Sequence, residues 1–325
     1  MDSLNHPLRS IGAPTTLSKS ILHPQHEDIE AHVNQYLADT WEWPSTRHRI
    51  GFLSWKLSDT ALRMFATGNY ERVKLACELL LLGFLMDDWF EHQKPEDSRT
   101  VVLRLSALRD APECFDPLTT IERMHHSIFT RILHQGPPSD PLMRATTSSS
   151  VEQRILDQYV EMLFCHCDST RGDLDSFQKY LAYREVDFGI NICSTILYWT
   201  ENLHLPAAKM QLLQPLERIA NYHVMTLNDI FSFDREWKAY QECGEAAVMM
   251  NGVSILAAET HIGVDAAKVW SFSLVRTWEG EFHKMVRGLA DAGELESEDM
   301  KRAVEGIERR MTGAEEFYWQ TKRYL

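Results

Sequence analysis

The sequence predicts an all-α protein, and three observations carry that expectation. From about residue 27 onward apolar residues recur at helical spacing nearly throughout. No run of alternating Val, Ile and Thr bounded by hairpin turns announces a strand. The 325 residues, 44% of them hydrophobic, suffice for one large core or two small ones, and a charged share of 25% argues against wholesale disorder.

In chain order, residues 1–26 come first. They carry Pro7, Pro14 and Pro24 and no sustained period, so a flexible N-terminal arm is expected. The helical pattern of 27–325 is then interrupted at Gly136-Pro137-Pro138-Ser139-Asp140-Pro141, at Ser148–Ser150, at Arg171-Gly172-Asp173 and at Gly293. None of these breaks is long enough to prove a domain boundary. There is no internal repeat and no low-complexity tract, so one all-α domain over 27–325 is the preferred division.

Charge narrows the function. The formal net charge is −14, and no Lys/Arg block marks a nucleic-acid-binding face. The mean field would repel an anionic substrate, which would need local cations: bound metal ions and a few placed arginines. The opening MDSLNHPLRS has no apolar signal core. The longest strongly apolar run, Leu79 to Met86 with Gly83 inside it, is too short to span a bilayer. Cys77, Cys114, Cys165, Cys167, Cys193 and Cys243 form no small-protein disulfide framework. A soluble, cytoplasmic protein with neither membrane nor nucleic acid as partner is expected.

Two motifs carry chemistry. Met86-Asp87-Asp88-Trp89-Phe90-Glu91 closes the apolar run from Leu79 to Leu85. A helix apolar on most sides is a buried helix, so its acids would stand at the mouth of an apolar interior. Asp87 and Glu91 are four apart and Asp88 and Glu91 three apart, which puts them on one face. Clustered carboxylates repel unless solvated or bound to a cation, and Mg²⁺ prefers oxygen. Taken by itself the triplet fits a polar helix terminus slightly better, because acid triplets are common. The second motif is Asn228-Asp229-Ile230-Phe231-Ser232-Phe233-Asp234-Arg235-Glu236. Asn228, Ser232 and Glu236 lie at i, i+4 and i+8, drifting slowly around one helical stripe at about 100° per residue. An amide oxygen, a hydroxyl and a carboxylate are three hard ligands for one Mg²⁺. A solvent-facing polar stripe is the alternative, but Ile230, Phe231 and Phe233 require much of this helix to be buried.

Asp87-Asp88-x-x-Glu91 resembles the aspartate-rich motif of class I terpene synthases, and Asn228-Asp229-x-x-Ser232-x-x-x-Glu236 resembles their second metal motif. Tyr183-Arg184-Glu185-Val186-Asp187-Phe188-Gly189 resembles the family segment with the diphosphate-sensing arginine. Arg323-Tyr324-Leu325 contains the Arg-Tyr pair of microbial members. Four motifs in the right order span nearly the whole chain. The wording around them, Lys74-Leu75-Ala76-Cys77-Glu78-Leu79 included, is most similar to the fungal aristolochene synthase-type sesquiterpene cyclases.

The resemblance implies a single-domain helical bundle around a central apolar pocket, in which the two motifs face each other and hold a trinuclear Mg²⁺ cluster on a prenyl diphosphate, here farnesyl diphosphate, with a ten- or twenty-carbon prenyl diphosphate as the alternative. It implies Asp87 as the direct ligand of the first motif with Asp88 and Glu91 supporting, and Asn228, Ser232 and Glu236 chelating another ion. Arg184, Arg235, Arg323 and Tyr324 would hydrogen-bond the diphosphate, and Asp187 would link Arg184 to a backbone carbonyl near Phe188. Arg235 stands where relatives often have Lys, which changes the contact from a point charge to a planar fork. Pocket-wall candidates are Phe84, Phe188, Trp199 and Phe317, although ordinary core packing accounts better for any one of them. In the aristolochene-type enzymes a tyrosine and a tryptophan help line the pocket. An ungapped alignment puts Met64 and Phe317 at those places, and a shift of one or two residues would put Tyr318 or Trp319 at the second. The resemblance leaves oligomeric state open.

Other signals fail. His26-Glu27 followed by His32 has the wrong spacing for H-E-x-x-H, and Cys165-His166-Cys167 lacks a second ligand pair for zinc. No P-loop, dinucleotide fingerprint or G-x-S-x-G occurs. Asp173-Leu174-Asp175-Ser176 stops short of the D-x-D-D of protonation-initiated cyclases. A chain-elongating prenyltransferase would carry a second D-D-x-x-D where this chain has Asn228-Asp229-x-x-Ser232. An inert isoprenoid-binding protein would predict damaged metal motifs.

Overall fold

The structure is a computed structural model that describes residue 8 and residues 14–136, 150–167, 174–243 and 249–324. The breaks expected at 137–141, 148–149 and 171–173, most of the first thirteen residues, and Leu325 lie outside the described residues. The helices are, in chain order, α1 (His26–Thr40), α2 (Thr46–Ser54), α3 (Ser58–Met64), α4 (Tyr70–Phe90), α5 (Pro95–Asp110), α6 (Thr120–Leu133), α7 (Val151–His166), α8 (Phe177–Asp187), α9 (Ile190–Thr200), α10 (Ala207–Cys243), α11 (Gly252–Thr260), α12 (Val264–Asp291) and α13 (Glu298–Gln320). No strand occurs among the described residues, so the fold is all-α. None of the described helices is long and apolar enough to cross a membrane.

The chain forms two compact units, each assembled from separate stretches. A central unit comprises Leu22–Ser169 and Asn191–Asn202; a terminal unit comprises Met1–Ile21, Thr170–Ile190 and Leu203–Leu325.

In the central unit α4 packs on α1, α3 and α6, and α5 on α6 and α7. The Asn69 side chain caps α4 by accepting from the Arg72 N–H at 3.2 Å. Leu75, Ala76, Cys77, Leu79, Leu81, Leu82, Leu85 and Met86 are all buried, which explains why this helix is apolar nearly all round. Glu78 interrupts that run, fully buried. Arg131 grips both of its oxygens, one at 3.0 Å, and His32 Nε2 lies 3.2 Å from Oε1, so the charge is paired. His125 on α6 is fully buried beside Tyr159. Burial drives its pKa down to about 4, against a hydrogen bond to the Ile121 carbonyl that raises it.

In the terminal unit α10 packs on α12 and α13, and α11 on α8, α10 and α12. Phe231 of α10 meets Trp319 edge-on at 4.6 Å and stacks on Tyr318 at 5.6 Å. A buried ionic network sits between these helices. Arg276 binds both oxygens of Glu315 and also pairs with Glu279, while His223 Nε2 lies 3.3 Å from Glu279 Oε1. Glu279 also accepts from Thr15 Oγ1 at 3.0 Å, from Thr16 N at 2.8 Å and from Thr16 Oγ1 at 2.9 Å. Ser18 N donates to Glu308 at 2.8 Å. Residues 14–25 of the N-terminal arm carry no helix, and Thr15 and Thr16 there supply donors that satisfy the buried Glu279 carboxylate. Burial pushes the Glu279 carboxyl up, but hydrogen bonds from His223 and Thr16 and the charges of His223 and Arg276 outweigh it and hold the pKa at about 2.

Candidate active site

The aspartate-rich motif belongs to the central unit. α4 ends at Phe90, and Glu91 is its C-terminal cap, with its N–H on the Asp87 carbonyl at 3.3 Å. Carboxylate oxygens of Asp87, Asp88 and Glu91 all lie within 4.8 Å of one another. The two aspartates are half-buried and Glu91 is exposed. Three acids at a helix C-terminus oppose the helix dipole and one another, an arrangement that a cation would relieve. His166 stacks on Phe90 at 5.5 Å, its Nδ1 3.9 Å from Asp87 Oδ1.

The second motif belongs to the terminal unit, entirely on α10. Asn228 and Ser232 are buried, and Glu236 is half-buried. Ser232 Oγ has no hydrogen-bond partner. Asn228 Oδ1 accepts from Arg184 Nη2 at 3.3 Å, and its Nδ2 donates to Tyr324 Oη at 3.1 Å. Glu236 Oε2 accepts from Asn251 Nδ2 at 2.9 Å. An orphaned buried hydroxyl beside an amide oxygen and a carboxylate is a donor set that fits a hard divalent cation.

Cationic and hydroxyl groups surround this stripe. Arg184, near the end of α8, pairs with Asp187, lies 3.9 Å from Asp229 Oδ1, and holds its guanidinium 5.0 Å above the Phe188 ring. Burial alone would lower its pKa, but Tyr180, Asp187, Asp229 and Glu236 raise it well above the ordinary value, so it stays charged. The family resemblance had Asp187 bridging onward to a carbonyl; the structure shows the direct ion pair, with Tyr183 Oη also donating to Asp187 at 3.2 Å. At the chain end Arg323 is buried and Tyr324 half-buried. The Tyr324 hydroxyl is raised by burial, against the charges of Arg323 and Arg235, which places both arginines within electrostatic reach of it. Arg184 and Tyr324 thus both hydrogen-bond Asn228, and the charges of Arg235 and Arg323 act on Tyr324.

The wall candidates separate. Met64 of α3 and Phe317 of α13 are buried at 2% and 1% exposure, and Phe84 of α4 is half-buried. Phe188 is occupied by the Arg184 guanidinium. Trp199 is a packing residue of the central unit, its ring under Arg72 at 5.4 Å and its Nε1 donating to Glu152 at 3.1 Å.

Sequence reasoning missed Tyr180, Asn251 and Gly252 and gave Asp229 no role. Asp229 is fully buried, accepting at Oδ2 from Tyr180 Oη at 2.8 Å and from Gly252 N at 3.1 Å. Burial, with the Glu236 charge, lifts its pKa to about 7 against Arg184, Tyr180 and Gly252. Asn251 before an apolar stretch is a readable helix cap; its contact with Glu236 is not readable.

Residues 78–280, more than half of the chain, match the family described as terpene synthase family 2, C-terminal metal binding. The chain belongs to this family. As a family 2 terpene synthase it is a terpene cyclase that acts on a prenyl diphosphate and uses a divalent metal. It is similar to the aristolochene synthase of Penicillium roqueforti, 26% identical over 97% of this chain and 89% of that protein, and to that of Aspergillus terreus, 25% identical over 97% and 95%. The crystal structure of the P. roqueforti enzyme superposes with a TM-score of 0.79 over 96% of this chain and all of that one, at 25% identity. Germacradien-4-ol synthase from Streptomyces citricolor, 18% identical with a TM-score of 0.74 over 96% of this chain and 98% of that one, shares the terpene synthase fold.

Proposed function

We propose that the protein is a Mg²⁺-dependent sesquiterpene synthase that ionises farnesyl diphosphate and cyclises the resulting cation. The observation that carries this reading is the buried Asn228–Ser232–Glu236 stripe, with the Ser232 hydroxyl unpartnered and Arg184 and Tyr324 hydrogen-bonded to Asn228. Similarity to aristolochene synthases over nearly the whole chain supports the fifteen-carbon substrate class.

Asn228, Ser232 and Glu236 would hold one Mg²⁺, and Asp87, with Asp88 and Glu91 supporting, would contribute ligands to a trinuclear cluster. When bound, the metal supplies Lewis-acid stabilisation of the departing diphosphate. Arg184, Arg235, Arg323 and Tyr324 donate hydrogen bonds to that leaving group as negative charge develops on it. The allylic C–O bond breaks heterolytically, diphosphate keeps the electron pair, and the carbocation must then be kept from water. Apolar walls do this, with Met64, Phe84 and Phe317 as candidates; an aromatic face shelters a cation by about 0.5–2 kcal/mol.

Incubation with geranyl, farnesyl and geranylgeranyl diphosphates, with and without Mg²⁺, followed by gas chromatography of the volatiles, tests the reading. A cyclic fifteen-carbon product formed only with metal is expected. Longer prenyl diphosphates would instead identify an elongating enzyme, and an inert protein would refute catalysis.

A further inference from the structure

We infer that Asn251 is a positioning residue that holds the Glu236 carboxylate in ligating orientation; this rests on the metal-binding role proposed for the Asn228–Ser232–Glu236 stripe. Asn251 is fully buried and caps α11: its Oδ1 accepts from the Val253 N–H at 2.9 Å. Its Nδ2 donates twice, to the Asp229 carbonyl at 2.9 Å and to Glu236 Oε2 at 2.9 Å. Two of the three contacts are to main chain on different helices, so the amide plane is fixed. Flipping the amide would point NH₂ at the Val253 N–H and oxygen at two acceptors, which sets the orientation independently. The donor toward Glu236 therefore stands in one place and engages Oε2, which leaves Oε1 for ligation. Metal-bound carboxylates are held by such outer hydrogen bonds, and losing one lowers metal affinity about tenfold to a hundredfold.

The turn that carries Asn251 is itself pressed onto α10. The next residue, Gly252, donates its N–H to Asp229 Oδ2 at 3.1 Å, and Tyr180 Oη meets the same oxygen at 2.8 Å. A Cβ at position 252 would lie 2.6 Å from Asp229 Oδ2, 2.9 Å from Tyr180 Cε1 and 3.0 Å from Phe177 Cε2. Only glycine lets the backbone approach α10 closely enough for the Asn251 amide to reach both Asp229 and Glu236.

The test is Mn²⁺ binding in the presence of inorganic diphosphate, read from the electron paramagnetic resonance of free Mn²⁺. Asn251→Ser keeps a good helix cap but is too short to reach Glu236. It should bind Mn²⁺ about tenfold to a hundredfold more weakly while still unfolding cooperatively above the assay temperature. Combined with Glu236→Ala, it should cause no further loss, because it acts through a carboxylate already removed. If Asn251→Ser does not fold, Asn251→Asp carries the same two expectations, since it keeps size and cap but replaces the donor by an acceptor facing Glu236. Wild-type affinity in the folded variant, or an additive loss on Glu236→Ala, overturns the inference. Failure of the unmodified protein to bind Mn²⁺ overturns the metal-site reading itself, and this inference with it.

Discussion

At Ser232 a hydroxyl is buried with nothing to bond, a state that costs about 1–3 kcal/mol unless something repays it. A ligand role explains the cost. Asn228→Ala, Ser232→Ala and Glu236→Ala should each lower turnover about tenfold to a thousandfold, the range for loss of one electrostatic stabiliser. Asp87→Ala should also impair turnover. Steady-state kinetics across Mg²⁺ concentrations checks this, and a Glu236→Ala enzyme at wild-type rate would contradict the assignment.

Two other residues fix the response to acid. Neutral His125 has a folded pKa of about 4 against an ordinary 6.5, so its contribution is complete above 6.5 and is lost as pH falls toward 4. Glu279, held at about 2 against an ordinary 4.5, contributes above 4.5 and loses that contribution as pH falls toward 2. Melting temperature measured from pH 8 to pH 2 should therefore decline in two successive windows. His125→Gln should flatten the upper one and Glu279→Gln the lower, and a profile unaffected by either would refute the burial argument. The residues proposed as metal ligands were legible as one stripe from spacing, because i, i+4 and i+8 share a stripe of any helix. His125 and Glu279 were not, because their environments come from residues as distant in sequence as Thr15.

The helices were largely legible where one element explained itself. An apolar run ending in acids identified α4, and its buried face and terminal carboxylates match that pattern. The joining of elements was not legible: the helical period does not reveal that α8 and α11 converge on Asp229. The chain end shows the same limit. Nothing in the sequence pattern announces that Tyr324 bonds Asn228. Deleting Arg323 to Leu325 should lower activity and leave the circular-dichroism melt unchanged, since the last helix ends at Gln320. A fully active truncation would reduce the pair to a helix terminus. Gly252→Ala should lower the melting temperature by forcing α11 from α10, by about 1–3 kcal/mol of overpacking strain.

Under the proposed function, product identity belongs to the whole molecule, because many apolar side chains act on the carbocation at once. Met64 and Phe317 are both buried where the resemblance puts an aromatic hydroxyl and an indole. Methionine is polarizable but offers no aromatic face, and phenylalanine is a weaker cation partner than tryptophan. A difference of about 1.4 kcal/mol between competing steps redirects product tenfold. The main hydrocarbon from farnesyl diphosphate should therefore differ from aristolochene, and co-elution with an aristolochene standard as a single peak would disprove this.

Glu279 takes its donors from Thr15 and Thr16, 264 and 263 positions earlier in the chain. During synthesis those threonines leave the ribosome well before the carboxylate they serve. Until Glu279 has emerged the threonines can bond only water, so this long-range closure has to wait for it. Such long closures are slow and leave apolar surface uncovered meanwhile. Production of this protein should be limited by events on and just after the ribosome, so slower elongation or cooler growth should raise the soluble yield more than any change to the finished surface.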